Sequence, residues 1–301
     1  MKKISAITVN YNREDATKKL IECLLSAETP DFNVEIIVVD NSPGKPFELT
    51  EKNNSISVIR PGTNTGFSGG NNLGIKHALK NGADYVLLIN DDTTIFPDMI
   101  KNLKKVLESD EKIGVASPKI YFAKGREFHK SRYSKNDLGK VLWFAGGKTD
   151  WQNAKSVHRG IDEVDKGQYD VIEKIDFATG CCMMIKREVL EKVGGFDEKY
   201  FLYYEDDDLC LRIKKAGYQI FYVPSAAMYH ENASSSGAGS TLHDYFLTRN
   251  QMLFGMRYAP LRTRAALVRQ SFKLLLTGRR YQKRGITDYY MGRLGKGTYF
   301  N

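Results

Sequence analysis

The segment Ile4-Ser-Ala-Ile-Thr-Val-Asn-Tyr-Asn12 is a short apolar run that ends abruptly in polar side chains. Two further apolar runs, Val34–Val39 and Tyr85–Ile89, end in the same way, and a shorter run spans Ile56–Ile59. Such runs are typical of strands that are buried on both faces. Between them lie stretches with helical spacing of Leu and Ile, which indicates βαβ crossovers. The sequence therefore predicts an α/β fold with a mainly parallel sheet flanked by helices.

Polar clusters follow three of these predicted strands: Asn10-Tyr11-Asn12, Asp40-Asn41-Ser42 and Asn90-Asp91-Asp92. Ligands of parallel sheets bind at the carboxyl ends of the strands, so we expect the three clusters to share one rim. Capping and turn formation would account for any one cluster alone. Three clusters on one edge favour a binding site.

The pair Asp91-Asp92 is the most informative part of this rim. Adjacent carboxylates repel each other, and without a cation the pKa of one of them would be raised. A divalent ion relieves the repulsion, and Mg²⁺ or Mn²⁺ often joins carboxylates to substrate phosphates. The glycine-rich loop from Asn64 to Gly74 precedes a predicted helix, where backbone N–H groups could face an anion. It matches neither the dinucleotide-binding fingerprint, which disfavours a dehydrogenase, nor a P-loop.

A second acidic cluster, Glu205-Asp206-Asp207-Asp208, comes directly after the aromatic run Phe201–Tyr204. Acids in the first turn stabilise a helix through its dipole, so the cluster has a purely structural explanation. That explanation does not account for the aromatic run beside it. A carboxylate in partly apolar surroundings makes a usable general base.

A series of short motifs runs through the chain in a specific order: Val9-Asn-Tyr-Asn12, Val38-Val-Asp40-Asn-Ser, Asn64-x-Gly66 through Asn72-x-Gly74, Asn90-Asp-Asp92, Thr179-Gly180, Gly194-Gly-Phe-Asp197 and Glu205-Asp206-x-Asp208-Leu. In order and spacing they resemble the inverting nucleotide-sugar glycosyltransferases of family 2, close to their rhamnosyltransferase-like branch. The resemblance covers about Lys3 to His230 and implies a GT-A type fold.

The resemblance implies a role for each matching position. Tyr11 and Asp40 would hold the nucleotide base, with Asp40 accepting a hydrogen bond from the pyrimidine ring. Asp91 would touch the ribose and Asp92 would bind the metal. Asn90 stands where many relatives carry a third Asp. The implied nucleotide-sugar site comprises Val9, Tyr11, Asn12, Asp40, Asn64, Gly66, Asn72, Asn90 and Asp91.

By the same resemblance, Asp206 would be the catalytic base that deprotonates an acceptor hydroxyl as it attacks the anomeric carbon. The run of acids leaves Asp208 as an alternative base. Asp206 is preferred because Arg212 lies one turn from Asp208, and this pairing would make Asp208 a poorer base. Gly180, Glu205 and Asp208 are candidates for the acceptor site.

His230 follows the predicted strand Gln219–Val223 after a short loop, which Pro224 opens. Some members of the resembled family place a second protein ligand to the metal at this point, although a lone histidine is more often structural. The predicted metal site is therefore Asp92 with His230, and the predicted cofactor is Mn²⁺ or Mg²⁺. An imidazole ligand would favour Mn²⁺.

The formal net charge of +9 is concentrated near the carboxyl end, where Arg257 to Lys296 contain eleven Lys and Arg and one acid. Leucines interleave with these cations, and a basic helix of this kind suits an anionic membrane surface. The alternative is a helical subdomain that packs its leucines on the body. Aromatic residues do not alternate with the cations as a nucleic-acid stacking platform would require, so we expect no nucleic-acid partner.

We expect residues 1–240 to form the GT-A catalytic domain and residues 241–301 a basic helical region, with the boundary in Ser234–Ser240. The 42% hydrophobic and 27% charged content is that of an ordinary globular protein. The four cysteines form no CxxC pair, which indicates buried thiols in a reducing compartment. The sequence shows neither a signal peptide nor an apolar run of the roughly 20 residues that a membrane span needs. We expect a cytoplasmic protein attached peripherally to the inner face of the cell membrane.

The expected function is metal-dependent, inverting transfer of rhamnose, galactofuranose or another hexose. The donor would be a dTDP- or UDP-sugar, and the acceptor a hydroxyl of a growing, lipid-linked cell-surface polysaccharide. The alternative is a catalytically silent nucleotide-sugar-binding protein, which should lack the base or the metal acid, yet Asp206 and Asp92 are both present. The sequence leaves open the choice of donor, the acceptor linkage and the oligomeric state, including a homodimer.

Overall fold

The computed structural model describes residues 1–29, 31–49, 53–231 and 240–300. Its elements in chain order are β1 (Lys2–Asn10), α1 (Glu14–Leu25), β2 (Phe32–Asp40), β3 (Ile56–Ile59), α2 (Gly66–Lys80), β4 (Tyr85–Ile89), β5 (Thr93–Ile95), α3 (Met99–Ser109), β6 (Ile113–Phe122), a 3₁₀ turn (Lys130–Arg132), β7 (Leu142–Phe144), β8 (Gly147–Asp150), β9 (Lys155–His158), β10 (Glu173–Lys174), β11 (Cys182–Lys186), α4 (Arg187–Val193), α5 (Glu205–Lys215), β12 (Gln219–His230), α6 (Thr241–Tyr258), α7 (Leu261–Thr277) and α8 (Arg280–Tyr290).

The described strands build one mixed ten-stranded sheet and a separate β8–β9 hairpin. The main path of the sheet runs in the order β10-β12-β6-β11-β4-β1-β2-β3. Strands β4, β1, β2 and β3 are mutually parallel, as the sequence predicts. Strand β11 enters antiparallel between β4 and β6, and β12 runs parallel to β6. The predicted α/β architecture is confirmed, with one antiparallel strand at the centre of the sheet.

The core lies between the sheet and the helices on its faces. Every residue of β4 is buried, because β1 and β11 cover its edges and helices cover its faces. Three cysteines, Cys181, Cys182 and Cys210, are buried and all four are free, as predicted for thiols that pack rather than pair.

Strand β12 differs from its predicted length. The sequence predicts that Pro224 ends this strand, but β12 continues to His230. A register shift between Val223 and Ala227 accommodates the proline, which lacks the N–H that a regular ladder needs. His230 is therefore the last residue of a strand and does not lie in a loop. It pairs with Thr93 of β5 and with Phe122 of β6.

The carboxyl-terminal region is helical, as predicted, but the single helical stretch predicted over Tyr245–Leu276 is two helices. Pro260 separates α6 from α7 because proline disfavours helical geometry at the preceding residue, and Ala259 is extended. The predicted boundary Ser234–Ser240 falls mainly outside the described residues, apart from Ser240, whose hydroxyl caps α6. Within the described residues, no helix is both long and apolar enough to span a bilayer.

Helix α6 packs on the α/β body, whereas α7 leaves one side uncovered. Phe254 of α6 is fully buried and stacks on Trp151, with ring centroids 5.9 Å apart. On α7, Leu261 and Leu276 are 81% and 78% exposed. Leu267, on another side of α7, is buried, so both interpretations of the basic region have a structural counterpart within α7.

Candidate active site

The three predicted polar clusters meet at one rim. The amide of Asn10 donates to Asp40 Oδ1 at 2.8 Å, and the backbone N–H of Phe47 donates to Asp40 Oδ2 at 2.8 Å. Burial raises the pKa of Asp40, but hydrogen bonds from Phe47, Ser42 and Asn10 outweigh it and hold that pKa below its usual value. Asp40 is therefore a fixed, ionised acceptor at the carboxyl end of β2.

The segment after β1 presents an aromatic face beside this acceptor. Tyr11 is 42% exposed, and Val9 is half-buried beneath the rim. Asn12 adopts a left-handed backbone with φ of 56°, and its N–H donates to Ser42 Oγ at 2.9 Å. This geometry suits stacking of a base on Tyr11, and the nucleotide roles of these residues stay predictions.

The glycine-rich loop leads into α2 at the same edge. Asn64 Oδ1 accepts the N–H of Gly66 at 2.9 Å, and Asn41 Nδ2 donates to Gly66 O at 2.8 Å. Gly66 has φ of +75°, and a Cβ there would meet Phe201 at 2.5 Å. Only glycine fits this approach.

Asn72 lies further along α2, with its amide engaged by another loop. Its Nδ2 donates to Phe196 O and Glu198 Oε1, both at 2.9 Å, and its Oδ1 accepts the Phe196 N–H at 2.8 Å. Through these contacts, Asn72 holds the segment that contains the Gly194–Asp197 motif. Its predicted part in nucleotide binding gains no support from them.

Asp91 and Asp92 follow β4 and are each only 7% exposed. Burial raises the pKa of Asp91 to about 7; Arg13 opposes this rise and the neighbouring Asp92 adds to it. Burial also acts on Asp92, but His230 and Arg13 outweigh it and hold the pKa of Asp92 well below its usual value. The predicted repulsion between the adjacent carboxylates is therefore present, and it contributes to the raised pKa of Asp91. Asn90, which precedes them, donates its backbone N–H to Cys181 O at 2.9 Å.

His230 reaches this pair from β12. Its Nε2 lies 3.2 Å from Asp92 Oδ1, and the N–H of the next residue, Glu231, donates to Asp92 O at 2.8 Å. Trp143 packs edge-on against the imidazole at a centroid distance of 4.6 Å. The structure therefore brings together the two residues predicted to bind a metal.

The residues fit a divalent ion that is bound together with a diphosphate. Asp91 Oδ2 is a buried carboxylate oxygen without a hydrogen-bond partner, and the neighbouring Asp92 Oδ1 lies 3.2 Å from His230 Nε2, the ring nitrogen that would share an ion with it. Across residues 1–29, 31–49, 53–231 and 240–300, no group of three or more His, Cys, Asp and Glu could hold an ion by itself. Asp92 and His230 would therefore be the protein ligands, and phosphate oxygens would complete the coordination.

Asp206, the predicted base, is the second residue of α5 and is partly exposed. The backbone N–H of Gly180 donates to Asp206 Oδ2 at 2.8 Å, and that of Asp207 donates to Oδ1 at 3.0 Å. Burial raises the pKa of Asp206, and these N–H groups oppose the rise. A carboxylate with a raised pKa, held at fixed geometry beside solvent, suits general-base catalysis.

Cys181 links the base to the acidic pair. Burial raises the pKa of this thiol first, and the charges of Asp92, Asp206 and Asp91 raise it further. Hydrogen bonds give the same relation: the Cys181 carbonyl accepts the N–H of Asn90 at the end of β4, and the preceding residue, Gly180, donates to Asp206. The buried, protonated thiol is not a nucleophile.

The other acids of the α5 cluster differ from Asp206. Glu205 is buried, its Oε2 has no hydrogen-bond partner, and burial raises its pKa well above the usual value. Asp207 contacts Ser156 Oγ of β9. Glu205 stays a candidate for the acceptor site, as does Gly180.

Asp208 does not line an acceptor site, and this prediction is wrong. It is fully buried and accepts hydrogen bonds from Arg212 Nε at 2.7 Å and Tyr258 Oη at 2.7 Å. Arg257 Nη1 lies 3.3 Å from the same carboxylate. Asp208 ties α5 to α6 inside the protein, which also excludes it as the base.

Arg13 is a site residue that sequence reasoning missed. Its Nη1 lies 3.3 Å from Asp91 Oδ1 and 3.1 Å from Asp92 Oδ2. The sequence offers one signal for this role: Arg13 comes directly after Asn12, just beyond the end of β1. Only the fold shows that this strand end faces β4.

The fold is of the GT-A glycosyltransferase type. GalNAc-T7 with UDP, GalNAc and Mn²⁺ has a similar fold, with a TM-score of 0.60 at 15% identity over 96% of this chain and 58% of that chain. The TarS fragment 1–349 of S. aureus matches with a TM-score of 0.55 at 15% identity over 96% of this chain and 79% of that one.

The family model described as glycosyl transferase family 2 matches residues 5–194, and the chain belongs to this family. A second model, the N-terminal domain of galactosyltransferase, matches residues 168–233. The chain is therefore a glycosyltransferase.

Curated relatives are similar over most of their length. A low-salt glycan biosynthesis hexosyltransferase of Haloferax volcanii is 27% identical over 83% of this chain and 74% of its own. The N-acetylglucosaminyl-diphospho-decaprenol L-rhamnosyltransferase of Mycobacterium tuberculosis is 25% identical over 80% of each chain. A dTDP-rhamnosyl transferase of Shigella flexneri is 26% identical over 83% of this chain and 79% of its own.

The raised pKa of Asp91 predicts a pH-dependent effect of Asp91→Asn on the metal-free chain. A carboxyl group whose folded-state pKa is raised to about 7 stabilises the fold at low pH, and this contribution is lost as pH rises through 7. Asparagine does not titrate, so the stability advantage of the variant should grow by roughly 2 to 3 kcal/mol from pH 5 to pH 8. Urea unfolding in EDTA at both pH values measures this, and an equal effect of the substitution at both would contradict it.

Proposed function

We propose that this glycosyltransferase is metal-dependent and inverting, and that it transfers a hexose from a nucleotide diphosphate to a hydroxyl of a growing cell-surface glycan. The observation that carries the proposal is a pair of hydrogen bonds made by the consecutive residues Gly180 and Cys181. The Cys181 carbonyl accepts the N–H of Asn90, which directly precedes the Asp91–Asp92 pair, at 2.9 Å, and the Gly180 N–H donates to Asp206 Oδ2 at 2.8 Å. One short segment therefore contacts both the predicted metal-binding strand end and the predicted base.

In this proposal, different residues of the chain bind the donor, hold the metal ion and accept the proton. Asp40 and Tyr11 would position the base of the donor at the rim, and Asp91 its ribose. Asp92 and His230 would hold a divalent ion, which when bound offsets negative charge on the diphosphate leaving group. Asp206 would accept the proton of the acceptor hydroxyl as its oxygen attacks the anomeric carbon. Attack from the face opposite the diphosphate inverts the configuration.

The named relatives support a dTDP-sugar as the first donor to test. Two of them transfer rhamnose, and the name of one gives dTDP as its carrier. A UDP-sugar, including UDP-galactofuranose, is the second class to test, because UDP and dTDP present the same ring edge to Asp40. The name of the mycobacterial relative describes a lipid diphosphate acceptor, which supports a lipid-linked acceptor here.

We further propose that α7 attaches the protein to an anionic membrane surface, at the inner face of the cell membrane. Phe272 is 58% exposed, and with Leu261 and Leu276 it forms one side of this helix. Arg262, Arg269 and Lys273 flank that side and are exposed. A lipid-linked acceptor would lie at the same surface, so attachment would bring the site to its substrate.

Asp206→Asn tests the base. The amide keeps the shape of the carboxylate but cannot accept the proton, so kcat should fall by about 10²- to 10⁴-fold with donor affinity nearly unchanged. Release of free nucleotide from a panel of dTDP- and UDP-sugars measures kcat, and calorimetry measures affinity. Asp208→Asn is the matched control and should lower stability, by about 3 kcal/mol, because it breaks a buried ion pair. Normal turnover by Asp206→Asn would refute the assignment.

Asp92→Asn and His230→Ala test the metal site. Each substitution should weaken Mn²⁺ binding in the presence of UDP or dTDP by more than about tenfold. Substitution of residues that only hydrogen-bond to metal ligands already lowers metal affinity by at least about tenfold. Loss of the imidazole should also narrow the preference for Mn²⁺ over Mg²⁺. His129→Ala, at an exposed histidine paired with Asp162, is the control. Unchanged affinity in both site variants would place the ion elsewhere.

Replacing Arg262, Arg269 and Lys273 together by Gln tests membrane attachment. Each cation near an anionic surface contributes about 1 kcal/mol, so binding to phosphatidylglycerol vesicles should fall by about 100-fold. Sedimentation with the vesicles measures this. Gln at Lys101, Lys105 and Lys124, which are also exposed, removes the same charge and should change little. Equal losses in both triple variants would show a non-specific charge effect and reject the α7 surface.

A further inference from the structure

The loop before the proposed base is backbone-strained. Phe201, Tyr203 and Tyr204 have φ values of 65°, 69° and 70°, in the left-handed region that non-glycine residues rarely adopt. Each such residue costs on the order of 1–3 kcal/mol and persists only where surrounding structure holds it. Tyr204 directly precedes α5, so this loop sets the position at which the helix carrying Asp206 begins.

A single side chain from the carboxyl-terminal region holds this loop. Asn250 of α6 is fully buried, and its Nδ2 lies 2.8 Å from each of three carbonyl oxygens, those of Tyr200, Leu202 and Tyr203. Three carbonyls converge on one amide nitrogen only because the left-handed residues turn the chain back on itself. The amide and the strained conformation therefore depend on each other.

Arg249 reinforces the same contact from the neighbouring position. It is also fully buried, and its Nη2 donates to Tyr200 O at 3.0 Å and to Lys199 O at 3.3 Å. Its Nε donates to Asn250 Oδ1 at 3.0 Å, which fixes the orientation of the amide. A buried guanidinium is costly unless its N–H groups are satisfied, and here it is satisfied largely by the loop.

The opposite side of the loop contacts the start of α2. The N–H groups of Phe67 and Ser68 donate to Phe201 O at 2.8 and 3.2 Å. The ring of Phe201 covers Gly66, where a side chain would not fit. The loop is thus fixed between the glycine-rich segment at the rim and α6, with Asp206 immediately after it.

We infer that Asn250 is a positioning residue for Asp206: with Arg249, it holds the 199–204 loop in the strained conformation that aims the carboxylate into the site. This inference rests on the proposed role of Asp206 as base. Both residues lie outside the matched family models, which end at residues 194 and 233. The region after the catalytic fold therefore completes the active site in addition to presenting α7.

Asn250→Leu is the test, because leucine keeps the branched shape and removes both N–H donors. Misplacement of a catalytic group by about 1 Å costs about 100-fold, so kcat should fall by about that factor. Affinity for UDP or dTDP with Mn²⁺ should stay within about twofold. Amide hydrogens of residues 200–208 should exchange faster, with β1 and β4 unchanged. Asn102→Leu in α3, which removes a 2.7 Å bond to Ser225 O, is the matched control and should change none of these quantities.

The proposal is overturned if the kcat of Asn250→Leu stays within threefold of the wild type, or if nucleotide affinity falls by the same factor as kcat. Unchanged exchange over residues 200–208 also overturns it. If Asn250→Leu does not fold, Asn250→Asp, which keeps the bond from Arg249, takes its place. If even the wild-type chain turns over none of the donors, the proposed function fails, and the exchange measurement still decides whether Asn250 holds the loop.

Discussion

Two adjacent carboxylates that are withdrawn from water need a cation, and the site is organised around this requirement. Asp91 and Asp92 are both buried at the end of β4, and two side chains from other strand ends face them. Arg13 approaches from the end of β1, and His230 from the end of β12. Burial, to which the charge of Asp92 adds, raises the pKa of Asp91 despite the opposing charge of Arg13, so these partners do not fully offset the cost of ionising both acids. A divalent ion accompanied by phosphates would complete the compensation.

The position of the base follows from the one antiparallel strand at the centre of the sheet. Because β11 runs against β4, its first residue, Cys182, pairs with Ile89 at the last position of β4. Gly180 therefore lies beside the acidic pair, and its N–H holds Asp206. Strand register thus fixes the relation between the Asp91–Asp92 pair and Asp206, the proposed base. The strained loop before α5 further determines where Asp206 lies, and the dipole of α5 acts on its carboxylate.

Much of this arrangement could be predicted from the sequence, because it depends on local patterns. Apolar runs ending in Asn and Asp predict parallel strands whose ends share a rim, and the Asn10–Asp40 bond confirms it. The adjacency of Asp91 and Asp92 predicts the repulsion that adds to the raised pKa of Asp91, but burial is the larger cause of that shift. The predicted pairing of Arg212 with Asp208, one turn away, is present.

Features that depend on long-range packing could not be predicted. Pro224 signals a strand end, but pairing with β6 on both sides of a bulge carries β12 on to His230. The contact of Tyr258 with Asp208 joins residues that are 50 positions apart, and no local pattern indicates it. The same holds for Asn250, whose partners lie some 50 residues earlier in the chain.

The most direct test of the central claim is a crystal structure with Mn²⁺ and UDP or dTDP, in which anomalous scattering locates the ion. The account predicts one manganese peak in contact with Asp92, His230 and the diphosphate, with the Asp206 carboxylate facing the same cavity from the opposite side. A manganese ion bound away from Asp92, or Asp206 directed into a separate cavity, would contradict it.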